Sequence, residues 1–176
     1  MALKRIDIYG QIKACTIYAM VNGVASSEPA AVDATITPPD IQFESGTIQM
    51  MGSLTMPDHS RLGDLSLSIT VPQSKHSINL AGKGLKEYRA NWVQEVTEPS
   101  GAVRVVGGVL YMSGYVTQVP SGGAKNPGAE GTADYNVSLV KVRQIVDGVE
   151  LYNIDRASGK LIINGEDYRS EVDELL

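Results

Sequence analysis

The amino-acid sequence predicts a mainly β protein: an antiparallel β-sandwich or barrel with one short α-helix, a protruding hairpin and a C-terminal segment with helical spacing. Three observations carry that prediction. Apolar residues recur with the period of a strand rather than that of a helix. Glycine (18) and proline (8) punctuate the 176 residues with turns. Hairpin dipeptides, Asn22-Gly23 and Asp147-Gly148, stand between strand-like runs.

The alternation is cleanest over residues 64–71. Leu65, Leu67, Ile69 and Val71 form one greasy face, and Asp64, Ser66, Ser68 and Thr70 form a small polar one. Tyr135, Val137 and Leu139 alternate with Asp134, Asn136 and Ser138 in the same way. Residues 103–119 are rich in Val, Tyr and Gly and long enough for one bent strand, with Gly107-Gly108 and Gly114 permitting a kink or bulge. Residues 88–96 read as a further strand, joined to it through Pro99-Ser100-Gly101, and Ser158-Gly159 breaks the last strands. The count is six to eight strands.

Helix signals are few. Residues 72–81 have Pro72 in the first turn and Gly82 as a stop. At the C-terminus Tyr168, Val172, Leu175 and Leu176 share a helical face, with Asn164 as a cap; the other reading is a frayed acidic tail.

Two segments stand apart within a single domain spanning residues 1–176. Residues 118–134 hold glycines and prolines over a length unusual for a hairpin connection. Residues 37–62 open on Pro38-Pro39 and contain the only Phe and three of the six Met. They read as a protruding hairpin with apolar residues at its tip. Adaptable Met side chains there suit a contact surface, or else simply fill a core.

The chain carries 20 acidic and 15 basic side chains, a net charge of −5. That balance argues against a protein that grips nucleic acid phosphates. Apolar residues make up 43%, too many for a disordered chain. The single Cys15 excludes an intrachain disulfide framework; it reads as a buried or half-buried thiol or as one half of a bridge between subunits. Lys4 and Arg5 precede no apolar signal core, and the longest apolar run, residues 14–21, is too short to cross a bilayer. The expectation is a soluble protein kept in the cytosol or released by lysis, in which Asn136-Val137-Ser138 is an accidental sequon.

The search for chemistry is nearly empty. There is no serine-nucleophile elbow, zinc-protease helix, phosphate-binding loop or calcium loop. Gly82-Lys83-Gly84 begins like a dinucleotide loop, but Glu87 replaces its last glycine. His59 beside Asp58 reads as a solvated turn rather than a dyad, since a triad needs a third group and a geometry. Tyrosines number 8 against one Phe and one Trp, which in a β protein reads as strand propensity with polar tips at the surface. No catalytic residue, metal site or cofactor is expected.

Residues 148–167 carry a resemblance. Gly148, Glu150, Leu151, Ile154 and Asp155, followed by Asn164, Gly165 and Asp167 after an apolar stretch, are similar to the C-terminal part of the major tail tube proteins of P2-type contractile-tailed phages. Pro38-Pro39, Glu44, Met51-Gly52 and the alternating run to Val71 follow that family's order upstream. Residues 72–85 depart from it by lacking bulky apolar residues.

The resemblance implies a structural virion protein. Hexameric rings would stack into the inner tube of a contractile tail, inside a sheath, and conduct DNA into the host. Its partners would be itself, the sheath protein, and the tape-measure and baseplate proteins. DNA would pass without specific binding. The location would be the virion tail, after assembly in the host bacterial cytoplasm. Ring-to-ring contacts would fall to Gln42, Phe43, Glu44, Ile48, Met50, Met51 and Met56. Asp64, Ser66, Ser68, Thr70, Asp134, Asn136 and Ser138 would line the lumen. The tube of an R-type bacteriocin or of a type VI-like secretion apparatus would share the fold. In another class stands a monomeric β-sandwich binding module, whose Met-rich flap would pack on its own domain.

Overall fold

The computed structural model describes residues 7–26, 28–122 and 125–176; Lys4 and Arg5 lie outside them. A curved antiparallel sheet forms the body. Its long strands are β1 (Ile8–Val21), β8 (Leu85–Thr97), β9 (Val103–Gln118) and β10 (Thr132–Val146). Short strands β2 (Val24–Ala25) and β3 (Ala31–Val32) cover one edge of β1. Beyond β10 follow β11 (Val149–Asp155), β12 (Lys160–Ile163) and β13 (Glu166–Asp167). The N-terminal half of β10 pairs instead with β7 (Ser66–Pro72), which in turn pairs with β4 (Thr35–Thr37). β10 thus belongs to two layers, and the sheet folds over without closing into a barrel. The remaining strands, β5 (Phe43–Gln49) and β6 (Ser53–Leu62), make a separate two-stranded hairpin.

The turn chemistry behaves as the sequence predicts. Asn22-Gly23 and Asp147-Gly148 both sit at positive φ, the mirror-image turn that matches strand twist. Asn164-Gly165 does the same between β12 and β13. This corrects the expectation that Asn164 caps a helix, since an Asn-Gly pair between short strands closes a hairpin instead.

The bend in the long strands has a local cause. Val140 is an extra residue in β10, and Thr117 is one in β9. A Cβ on Gly114, between them, would lie 2.2 Å from the Ser138 carbonyl oxygen, so only glycine lets the two backbones approach there.

The alternating strands supply the core. Leu65, Leu67, Ile69 and Val71 are at most 2% exposed, as are Tyr135, Val137 and Leu139. They pack on Ile17, Tyr88, Ala90 and Leu110 from the facing layer. Burying each large aliphatic side chain contributes about 1.5–3 kcal/mol.

Two helix expectations need correction. Residues 72–81 form only one turn of 3-10 helix, Ser77–Leu80, and Pro72 is the last residue of β7, opposite Thr132. Few apolar residues fall there with helical spacing, so no face exists to bury a longer helix. The C-terminal helix α1 spans only Ser170–Asp173. Leu175 and Leu176 stay exposed, so most of its supposed apolar face packs on nothing.

The surface reading of the tyrosines also fails at two positions. Tyr88 and Tyr135 are fully buried, and each hydroxyl donates to a carbonyl of the 3-10 turn, Leu80 O and Ser77 O respectively. These bonds satisfy buried polar groups at both ends and fasten the turn over the core. Burial pushes the Tyr88 phenol up to about 12.

Candidate assembly interface

The hairpin β5–β6 places the predicted contact residues in two groups. Its register sets Ile48 opposite Leu54 and Met56 opposite Gly46 on one face. Thr47 with Thr55, and Gln49 with Ser53, occupy the other. Strand alternation therefore makes the hairpin two-sided, and the apolar side is bare: Ile48, Leu54 and Met56 are 45–46% exposed. At the tip Met50 is 62% exposed and Met51 fully so. Met51 also sits at φ 36°, a left-handed conformation that costs a bulky residue about 1 kcal/mol or more.

Gln42, Phe43 and Glu44 lie at the root instead. The Gln42 carbonyl accepts from Gly63 N at 2.8 Å, and Glu44 pairs loosely with Arg61 at 3.9 Å. Phe43 is half-buried. Its ring stacks on Tyr168 at 5.6 Å and meets the edge of His59 at 4.9 Å. The position of Phe43 at the root is a structural reason for the only Phe in this segment, distinct from the tip methionines.

The root is also where the ladder breaks. Phe43 pairs with Leu62, but the next residue, Glu44, pairs with Asp58. His59, Ser60 and Arg61 form a bulge with no backbone ladder partners on β5. The Asp58 carboxylate holds it by accepting from Ser60 N at 3.0 Å and Ser60 Oγ at 2.6 Å. Those two bonds hold the Asp58 carboxyl below the usual carboxylate value.

The predicted lumen residues come together on one face. Ser66, Ser68 and Thr70 lie opposite Ser138, Asn136 and Asp134 in the β7–β10 ladder. Thr37 and Thr35 extend the face from β4, and Gln118 extends it from β9. Thr70 Oγ1 donates to Asp134 Oδ1 at 2.7 Å, and Asn136 Nδ2 to Gln118 Oε1 at 3.0 Å. No lysine or arginine occupies these positions. Asp64 precedes β7, in the connector from the hairpin. The sequence reading missed Thr35, Thr37 and Gln118, because only strand register reveals them. It also missed Leu54, which its period relative to Met56 could have flagged.

The motif residues 148–167 do structural work. Gly148 and Gly165 complete turns at positive φ. Glu150 pairs with Arg143 at 2.8 Å, and Ile154 is buried. The Asp155 carboxylate accepts from Ala157 N and Ser158 N to shape the β11–β12 turn. Asp167 Oδ1 accepts from Arg169 N at 2.9 Å. Leu151 remains 41% exposed, and its carbonyl accepts from Asn164 N.

Elsewhere, Arg104 gathers three carboxylates at one end of the sheet: Asp147 at 2.9 Å, Asp7 at 3.0 Å and Glu98 at 3.2 Å. Among the described residues no group of three or more His, Cys, Asp and Glu is placed to hold a metal. Cys15 is a half-buried free thiol whose pKa burial raises. It lines an apolar cleft of about 400 Å³ with Trp92, Ile12 and Pro38. No helix among the described residues is long and apolar enough to cross a membrane.

Residues 16–176 match the phage tail tube protein FII family. This chain belongs to that family. The tube protein is therefore a structural component of a tail, and the resemblance carried by residues 148–167 is borne out. No curated protein matches the chain in sequence. In structure it is similar to a chain of an extracellular contractile injection system, the PVC sheath–tube complex in its extended state. That match has TM-score 0.47 and 10% identity and covers 74% of this chain and 87% of that one. A chain of the PVC sheath/tube terminator in the extended state is similar at TM-score 0.47 and 10% identity, covering 82% and 99%. At these values neither adds to the family assignment.

Proposed function

We propose that six copies of this chain form a ring, and that rings stack through the β5–β6 hairpin into the inner tube of a contractile tail that conducts DNA. The observation that carries the reading is the bare apolar side of the hairpin. Ile48, Leu54 and Met56 form a cross-strand cluster that the described residues leave 45–46% exposed, and a strained tip presents Met50 and Met51. An isolated hairpin is marginal in water, and a flat apolar edge invites association, so such an element is expected to be covered by a neighbour. In a tube protein the neighbour of first resort is another copy. Head-to-tail contacts of this kind propagate into stacks.

The β4–β7–β10–β9 face supports the lumen assignment. Its side chains on β4, β7 and β10 are short and polar, with Asp134 the one charged residue among those paired positions, and on β9 the exposed Tyr115 stands opposite Ser138. At −5 per chain a six-membered ring is strongly acidic. A wall without cations does not exchange counterions with DNA, so DNA slides past without sticking. Sheath, tape-measure and baseplate proteins are the partners such a tube requires, with assembly in the host cytoplasm.

Negative-stain electron microscopy of the purified chain at rising concentration tests this. Hollow rings or stacked tubes are the expected outcome. A monodisperse small particle, together with a complete tail that assembles normally after deletion of residues 46–52, would favour the monomeric binding module.

A further inference from the structure

The hairpin is joined to the body by a weak seam. On β6 the bulge His59-Ser60-Arg61 interrupts the ladder. Beside it a cleft of about 150 Å³ opens between Ser60 and Leu62 on one side and Arg156, Gly159 and Lys160 on the other. Arg156 crosses the seam with a guanidinium hydrogen bond to Gly63 O at 3.2 Å, and Ile41 and Leu62 at the hairpin root pack on the core. The rest of the bridge is aromatic: Phe43 lies nearly parallel to Tyr168 (12°), and His59 packs against both rings. Tyr168 is in turn held from behind. Its N–H donates to Leu161 O at 2.9 Å. The next residue, Arg169, donates from its guanidinium to Gly159 O at 3.1 Å and pairs with Asp173 in α1 at 3.3 Å. A Cβ on Gly159 would lie 2.3 Å from that guanidinium, so the arginine is seated closely on the β11–β12 turn. A continuous line of contacts thus runs from the β11–β12 turn through Arg169 and Tyr168 to the hairpin root.

We propose that Tyr168 is a positioning residue: its ring sets the direction in which the hairpin is presented, which makes the C-terminal segment a control on assembly. The inference rests on the hairpin being the stacking element. The Arg156 bond and the Ile41 and Leu62 contacts anchor the ribbon at its root, whereas the Phe43–Tyr168 ring pair sets an orientation, because ring stacking is directional as well as attractive. Binding then draws on a hairpin already pointed at its site, and loosening it adds an ordering cost to every contact between rings.

The test compares Tyr168→Phe, which keeps the stack, with Tyr168→Leu, which keeps apolar contact and loses it. Spin labels at Thr55→Cys on the hairpin and Thr132→Cys on β10, in a Cys15→Ser background, report hairpin direction in the unassembled full-length chain. Tyr168→Leu is expected to broaden the distance distribution and to raise the concentration needed for tube formation by about tenfold or more, at temperatures where circular dichroism shows both variants folded. Tyr168→Phe is expected to match the unsubstituted protein in both. An unchanged distance distribution in Tyr168→Leu overturns the inference, whatever assembly does. A Met50→Ser/Met51→Ser variant that still forms tubes refutes the hairpin as stacking element, while the distances go on deciding whether Tyr168 aims it.

Discussion

The β7–β10 ladder and the β5–β6 ladder follow the same alternation and meet opposite fates. In β7, Leu67 and Ile69 vanish into the core at 1% and 0% exposure, and their polar alternates face outward. In the hairpin, Ile48 and Met56 alternate just as well, yet remain 45% exposed: among the described residues β5 and β6 form a sheet of their own. Alternation therefore specifies a strand with two unlike faces and says nothing about where the cover comes from. For β7 the cover is internal and stabilises the monomer; for the hairpin the proposed cover is another copy of the chain.

Substitutions can break this contrast at either end. Leu67→Ala is expected to destabilise the isolated chain by about 2–5 kcal/mol in urea unfolding. Ile48→Ala should leave the midpoint nearly unmoved. Equal costs would mean that the hairpin packs on its own body in solution. The triple change Ile48→Ser, Met50→Ser and Met51→Ser is expected to leave the folded monomer intact and to raise the assembly concentration by about a hundredfold, the equivalent of about 3 kcal/mol. Sedimentation at graded concentration checks it, and tubes at unchanged concentration would refute the role of the tip.

The polar side of the contrast is sharpened by charge. Ser68→Lys with Asn136→Lys should leave assembly intact but make tubes retain DNA at low salt and release it as salt rises, read by filter retention. Retention unchanged from the unsubstituted tube would place that face away from the channel. The smallest effect is expected at the sheet end. The Arg104 guanidinium, by hydrogen bond and charge, holds the Asp147 carboxyl below the ordinary carboxylate value. A native carboxyl of lowered pKa contributes stability above its unfolded value, about pH 4, and loses that contribution as pH falls through the native one. Asp147→Asn preserves the turn, because Asn-Gly suits it equally. The melting-temperature difference from the parent should be slight at pH 7 and vanish in acid; a difference that grows in acid contradicts the pairing.

Much of the fold was legible because its signals are local. The period of Leu65 to Val71, the two-residue turns at Asn22 and Asp147, and the glycines of β9 each act over a few residues. The polar face was legible in part for the same reason: Ser66, Ser68 and Thr70 announce one side of a strand. Thr37, opposite Ser68, and Gln118, opposite Asn136, were not, since register between distant strands is set by core packing and by bulges at Val140 and Thr117. Pro72 misled because a proline opening a helix and one ending an edge of a ladder look alike in sequence. Asn164 misled because the same side chain that caps helices also tolerates positive φ. Tyr168 was read as one member of a helical face, although its ring turns toward Phe43 across a tertiary seam that no spacing rule describes.

The Asn-Gly turns have a chemical lifetime as well as a geometry. In each, the glycine places no side chain in the way of its own backbone nitrogen, so that nitrogen can attack the neighbouring asparagine amide and release ammonia. Asn22-Gly23 and Asn164-Gly165 are thus expected sites of ageing: ammonia leaves as a succinimide closes, and water opens that ring to aspartate or isoaspartate, adding a negative charge and, in isoaspartate, an extra backbone carbon within the turn. Asp147-Gly148 keeps the same bend without an amide to lose; its carboxyl can close the same ring only by expelling water, with no net change of charge, and of the three turns it is the one beside the Arg104 cluster.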